Sequence, residues 1–273
     1  MSKIEIFNLF SKELNKEETV RVYLPKGYDK NNTFYPVLYM HDGQNIFNGD
    51  TASFGMGWEI NKILDSKYKE EIFEGFIIVG VDCPKLCEDR LNEYSPFRYS
   101  FDKLPVHLEM AIPINELGGK GVDYSRFIVN TLLPYIEGKY RVSKKREDTF
   151  IAGSSMGALI SLYIGLENPN IFSKIGCFSP AFWFAEKDLI DFISSKNLHH
   201  DTKVYFDTGT NESSNDEHKE EFAKIYINST KNIIKEVEKQ IPPSNIKFII
   251  EEGAVHNEIA WNRRFPEFLD FII

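Results

Sequence analysis

Short apolar runs of strand length recur along the chain at Thr19 to Leu24, Pro36 to His41, Phe76 to Asp82, Asp148 to Gly153, Lys174 to Ser179, Lys203 to Thr208 and Ile246 to Glu252. From Pro36 onward they mostly alternate with segments whose apolar residues repeat at helical spacing. These are Gly57 to Leu64, Tyr124 to Tyr140, Met156 to Glu167, Glu186 to Ser195, Lys219 to Gln240 and Asn262 to Ile273. Such alternation predicts an α/β fold with a mostly parallel central sheet and helices on both faces, because each parallel connection needs a crossover long enough to hold a helix. The opening differs. Thr19-Val20-Arg21-Val22-Tyr23-Leu24, preceded by Ile4 to Phe10, predicts an antiparallel N-terminal hairpin. No repeat, low-complexity tract or linker divides the chain, so residues 1–273 are expected to form one domain.

One stretch breaks the alternation. Cys83 to Gly121 holds Pro84, Pro96, Pro105, Pro113, a Gly118-Gly119 pair and many aromatic residues. A long excursion of this kind between a strand and a helix is expected to be an active-site rim or lid, with a simple surface insertion as the alternative.

The strand at Asp148 to Gly153 runs directly into Gly153-Ser154-Ser155-Met156-Gly157 and then into a helix. G-x-S-x-G between a strand and a helix is the layout of a nucleophile elbow, with Ser155 held above the sheet at a helix N-terminus. Unpaired first-turn N–H groups and the helix dipole there can stabilise an oxyanion.

A serine hydroxyl needs a base, usually an imidazole oriented by a carboxylate, and at an elbow of this type the partners follow in the order serine, acid, histidine. That order removes His41 and His107. Among His199, His200, His218 and His256, the last lies just past the final strand and is the predicted base. His199-His200-Asp201 has no further ligand at suitable spacing and reads as a solvated loop, as does the polar segment around His218. Past the strand ending at Thr208, Gly209 supplies a turn and Glu212 is the predicted acid, with Asp207 and Asp216 as rivals. Two backbone donors are expected for an oxyanion: Met156 N–H, and Gln44 N–H in the loop His41-Asp42-Gly43-Gln44-Asn45, where Gly43 lets the backbone approach substrate. His41 and Asp42 are expected to fix the shape of that loop by hydrogen bonds.

Composition narrows the partners. The chain has a formal charge of −9 and 42% hydrophobic residues, with no basic run interleaved with aromatics, so a nucleic-acid backbone is not an expected ligand. The first residues lack the order of a signal peptide, and no apolar run is long enough to span a bilayer. Cys83, Cys87 and Cys177 fit neither a disulfide framework nor a zinc site. These features predict a cytoplasmic protein with reduced thiols, acting away from membranes.

Several segments together resemble the esterase branch of the α/β hydrolases that includes esterase D, feruloyl and siderophore esterases and mycolyltransferase relatives. They are Leu38 to Asn45, Asn92-Glu93-Tyr94-Ser95-Pro96, Gly153 to Ala158, Phe178-Ser179-Pro180-Ala181, Gly209-Thr210-Asn211-Glu212, and His256-Asn257-Glu258 with Trp261 shortly after. The resemblance spans nearly the whole chain and implies an α/β-hydrolase fold. It also implies hydrolysis of a small-molecule carboxylic ester through an acyl-enzyme on Ser155, with no metal or organic cofactor. Relatives often carry Asp where this chain has Glu212, so a Ser-His dyad stays open beside the triad. The Asn92 to Phe97 segment resembles part of a substrate-side loop, making Tyr94 and Arg90 candidates for substrate contact, with loop packing and an ion pair as the alternative. An acyltransferase with the same triad and a non-catalytic binding protein on the same fold are the competing readings.

Overall fold

The computed structural model describes residues 1–53, 55–69, 75–100, 116–213 and 219–273. Among these, the chain opens with an antiparallel pair, β1 (Lys3–Ser11) and β2 (Lys16–Leu24), in register from Lys3 opposite Leu24 to Ser11 opposite Lys16. The main sheet continues with β3 (Val37–His41), β4 (Ile77–Val81), β7 (Thr149–Ser154), β8 (Lys174–Phe178), β9 (Lys203–Asn211) and β10 (Ile246–Val255). Strand order across the eight is β1-β2-β4-β3-β7-β8-β9-β10; the β1–β2 and β2–β4 pairings are antiparallel and the rest parallel.

The inner parallel strands are apolar on both faces. Val37 and Tyr39 belong to one buried cluster and Leu38 and Met40 to the other; Val204 and Phe206 divide from Tyr205 in the same way. Period-two alternation with hydrophobic residues on both sides is what a sheet covered on both faces requires. The first cluster packs under α5 (Met156–Glu167), α6 (Glu186–Ser194) and α7 (Lys219–Val237), and under a helical stretch from Gly121 to Lys139. The second packs under α1 (Ile60–Lys69) and α8 (Glu258–Ile272).

The predicted helix at Tyr124 to Tyr140 is one continuous stretch in three parts: α3 (Gly121–Phe127), a π-helical turn (Ile128–Leu132) and α4 (Leu133–Lys139). Pro134 has no N–H to give to the preceding turn, and a widened turn accommodates the missing bond. The excursion from Cys83 also proves to contain regular structure. It holds α2 (Cys87–Glu93) and a small antiparallel pair, β5 (Arg98–Ser100) with β6 (Glu116–Gly118), while Pro105, His107 and Pro113 lie outside the described residues. No helix among the described residues is long and apolar enough to cross a membrane.

Candidate active site

Between β3 and β4 the chain steps to one side of the sheet, and β7 then pairs on the other side of β3. Loops leaving the carboxyl ends of β3 and β7 therefore diverge from a shared crevice, the usual ligand position of an open parallel sheet. His41 to Asn45 leaves β3 there, and Ser155 leaves β7.

Ser155 has φ 57° and ψ −122°, a conformation that non-glycine residues adopt only when their surroundings impose it. Here the surroundings are specific. Its N–H donates to the Phe178 carbonyl at 2.9 Å, and its carbonyl accepts from Ala158 N–H and Ala181 N–H, both at 3.1 Å. The turn is tight enough that a Cβ on Gly153 would lie 2.5 Å from the Gly157 carbonyl oxygen. Met156 is the first residue of α5, so its N–H is one of the helix's unpaired leading donors.

β9 and β10 bring the predicted acid and base together. Each runs three residues beyond its expected end, and Val255 pairs with Asn211 after an irregularity in β10 between Glu251 and Val255. Glu212 and His256 are the next residues on two adjacent parallel strands. Glu212 Oε2 lies 2.6 Å from His256 Nδ1. Gly209, expected to form a turn, instead lies inside β9, where a Cβ would come within 2.1 Å of the Ala254 carbonyl oxygen on the bulged strand. It serves the close approach of two backbones and not a change of direction.

Glu212 is 3% exposed, and its other oxygen, Oε1, accepts from Ser179 Oγ at 2.7 Å and from Gly209 N–H. Burial by itself would raise its pKa. The hydrogen bond from His256, the attraction of that imidazole and the Gly209 and Ser179 donors outweigh burial and hold the carboxyl below its ordinary value. The ionised oxygen facing Nδ1 fixes the proton there and leaves Nε2 as the basic edge of His256.

The rival Asp207 is fully buried within β9 and has different partners: Oδ1 accepts from Ser179 N–H at 3.0 Å and lies 3.1 Å from Arg264 Nη2. Burial raises its pKa to about 6 despite the guanidinium. Asp216 and His218 lie outside the described residues. His199 is at the surface, 2.7 Å from Asn170 Oδ1.

Gln44 and Gly43 sit in a single helical turn, Gly43–Asn45, in which Asn45 N–H returns to Asp42 O and Ile46 N–H to Gly43 O. The Gln44 side chain is tied down on both sides: Oε1 accepts from Cys83 N–H at 3.0 Å, and Nε2 lies 3.0 Å from Cys83 Sγ and 3.2 Å from Ser53 Oγ. Gly43 does admit a close approach, but to the sheet: a Cβ there would stand 2.7 Å from Asp82 Oδ1 and 2.9 Å from the Gly80 carbonyl carbon. The side of Gly43 that lacks a Cβ therefore faces the sheet.

Tyr94 and Arg90 both partner Asp42. Tyr94 has no exposed surface, and its hydroxyl accepts from Asp42 N–H at 3.0 Å. Arg90 gives Nε and Nη2 to the two Asp42 oxygens at 2.7 and 2.8 Å and lies over the Tyr94 ring. His41 Nδ1 lies 2.8 Å from the Tyr124 hydroxyl. These bonds brace a loop whose Asp42 has a left-handed backbone, φ 56°.

Several residues around the pair carried no role in the sequence reading. Trp261 Nε1 and Arg264 Nη2 both donate to Ser179 Oγ at 2.9 Å, so Ser179 links α8 to Glu212. The Phe178-Ser179-Pro180 segment and Trp261 had been singled out by resemblance, but only folding shows that they meet. Tyr226, on α7, packs its ring 5.2 Å from the His256 ring and 5.8 Å from Trp183. Among the described residues, no group of three or more His, Cys, Asp or Glu side chains is placed to hold a metal ion.

Comparison with known proteins matches this architecture. Residues 11–272 match the model of a family described as "Putative esterase". The chain is 24% identical over 253 residues to the uncharacterized protein YbbA of Bacillus subtilis, covering 92% of this chain and 90% of that one. Its fold is similar to that of a ferulic acid esterase, with a TM-score of 0.71 at 20% identity over 100% of this chain and 98% of the other. It is also similar to the enterobactin esterase FES of Shigella flexneri, with a TM-score of 0.73 at 14% identity, covering 98% of this chain but 58% of that longer one. The chain belongs to the "Putative esterase" family and has an α/β-hydrolase fold.

Proposed function

We propose that the protein is a serine esterase that cleaves a compact carboxylic ester with an aromatic acyl group through an acyl-enzyme. The observation that carries the mechanism is the pairing of buried Glu212 with half-buried His256 at the ends of two adjacent strands, at the same end of the sheet as the strained Ser155 turn. Ser155 Oγ attacks the ester carbonyl carbon and its proton passes to His256 Nε2. The Met156 and Gln44 N–H groups are the donors assigned to the tetrahedral oxyanion. Collapse breaks the bond to the alcohol oxygen, which takes the proton from His256. Water then repeats the sequence: it loses a proton to His256, attacks the acyl carbon, and the acid departs as Ser155 regains its proton.

The aromatic acyl class is supported by the rings of Tyr226, Trp183 and Trp261 around the Glu212–His256 pair. It is also supported by the named activity of the ferulic acid esterase with the same fold. The test is labelling by a fluorophosphonate followed by kinetics on a panel of feruloyl, benzoyl, acetyl and butyryl esters. Labelling of Ser155 with highest kcat/KM on the aromatic esters is expected. No labelling of folded protein would overturn the serine mechanism, and a preference for acetyl or butyryl esters would overturn the acyl class.

A further inference from the structure

We infer that Asn45 and Glu258 are positioning residues for the hydrolysis: the hydrogen bond between them joins the loop that carries the Gln44 N–H to the loop that carries His256. This rests on the serine esterase reading above. Asn45 Nδ2 donates to Glu258 Oε1 at 3.0 Å, across a separation of 213 positions in the chain. Asn45 is 7% and Glu258 3% exposed, so water does not compete for the bond. Asn45 directly follows Gln44, and Glu258 comes two residues after His256.

Strand pairing alone does not relate the two loops. One leaves β3 and the other leaves β10, with β7, β8 and β9 between them. At about 4.8 Å per strand the two departures are roughly 19 Å apart, and each loop could shift without disturbing the sheet between them. Yet donor and base act on one carbonyl in the same step, where a misplacement of about 1 Å can cost about 10²-fold in rate. The bond closes the gap with its direction fixed at both ends. Asn45 Oδ1 accepts from Ser53 N–H at 2.9 Å, and a peptide N–H can only donate, so the amide is turned with Nδ2 towards the carboxylate. The Asn45 backbone is held as well: its N–H donates to Asp42 O and its carbonyl accepts from Trp58 N–H, both at 2.8 Å. On the other side Asn257 caps α8, its Oδ1 accepting from Ala260 N–H and its N–H donating to the Val255 carbonyl, both at 3.0 Å. His256 and Glu258 therefore flank a residue tied through both backbone and side chain, and a displacement of Glu258 reaches the imidazole. Asn262 Nδ2, one turn further along α8, donates to the Trp58 carbonyl and makes a second path between the same loops.

Reversing the bond tests it. Asn45→Asp sets one carboxylate against another and should lower kcat by about 10² with KM nearly unchanged. Affinity for a trifluoromethyl ketone bearing the acyl group of the best ester should fall by the same factor, because its adduct on Ser155 engages both the donor and the base. In the Asn45→Asp/Glu258→Gln double variant the new amide donates to the new carboxylate, and kcat should return to within about fivefold of the parent. Glu258→Ala removes the acceptor without opposing two charges and should lower kcat by about tenfold; it carries the same readout if Asn45→Asp fails to fold. A melting temperature that drops in Asn45→Asp and returns in the double variant, with kcat and ketone affinity at the parent's values throughout, would show a brace for stability alone and overturn the assignment. A double variant no faster than Asn45→Asp would overturn it too. Turnover that survives Ser155→Ala would instead remove the serine mechanism itself, so the two failures are told apart.

Discussion

Glu212 Oε2 lies 2.6 Å from His256 Nδ1, and the two residues directly follow the paired positions Asn211 and Val255 on adjacent parallel strands. Strand register, and not loop flexibility, sets their separation. Glu212→Gln leaves the shape intact but offers His256 an amide that can donate, stabilising the wrong imidazole tautomer. We expect kcat to fall by about 10³ to 10⁴. Steady-state kinetics on the best ester of the panel provide the check; a loss below tenfold would assign the orienting role elsewhere.

Ser179 is the joint between that carboxylate and α8. Ser179→Ala removes the donor to Glu212 Oε1, leaves the buried Trp261 Nε1 without its acceptor and takes one of its acceptors from Arg264 Nη2. Stability should drop by about 2 kcal/mol, the range for buried donors left unpaired, and kcat by about tenfold as the carboxylate loses one of its anchors. Urea unfolding together with kinetics on the same variant measures both.

Two glycines should respond in opposite ways to alanine. At Gly153 the new Cβ meets the Gly157 carbonyl oxygen at 2.5 Å, so Gly153→Ala should destabilise by about 2 kcal/mol and reduce activity by moving Ser155. At Gly138, in α4, a Cβ has nothing within 4 Å. Gly138→Ala should stabilise by about 0.5 to 1 kcal/mol by restricting the unfolded chain. Midpoints of chemical denaturation decide both signs.

His41 makes a pH prediction. Burial pushes its imidazole down to about 3 from 6.5, with Asp42 opposing and Arg90 reinforcing the shift. Between those values the unfolded chain binds a proton that the native state refuses. Native stability therefore declines as pH falls through that window, by about 1.4 kcal/mol per pH unit for this group well inside it. His41→Gln should flatten the stability profile between about pH 6 and pH 4 by roughly 1 kcal/mol per unit. Parallel profiles for variant and parent would show that the histidine is not responsible.

The order of strands and helices was legible in the sequence because apolar runs of strand length and helical periodicities are local signals. Met156 to Glu167 matches α5 at both ends. Where β9 and β10 end was not legible: Thr210, Asn211, Gly253 and Ala254 carry no strand pattern, and their pairing depends on a bulge formed with the neighbouring strand. The same limit applies to the site. Ser155, Glu212 and His256 are marked by motif and order, whereas Tyr94 and Arg90 reveal only in three dimensions that they brace Asp42. Ser179, Trp261 and Tyr226 meet Glu212 or His256 from different elements, so no spacing in the chain announces that they meet.

The central claim is that an acyl group passes through Ser155. A nitrophenyl ester of an aromatic acid, mixed with enzyme and acid-quenched within the first turnovers, should leave one acyl group on the peptide that contains Ser155, read by mass spectrometry, with a burst of nitrophenol matching the enzyme present. The Ser155→Ala protein should show neither. Full turnover in that variant, or an acyl group found on another residue, would contradict the account.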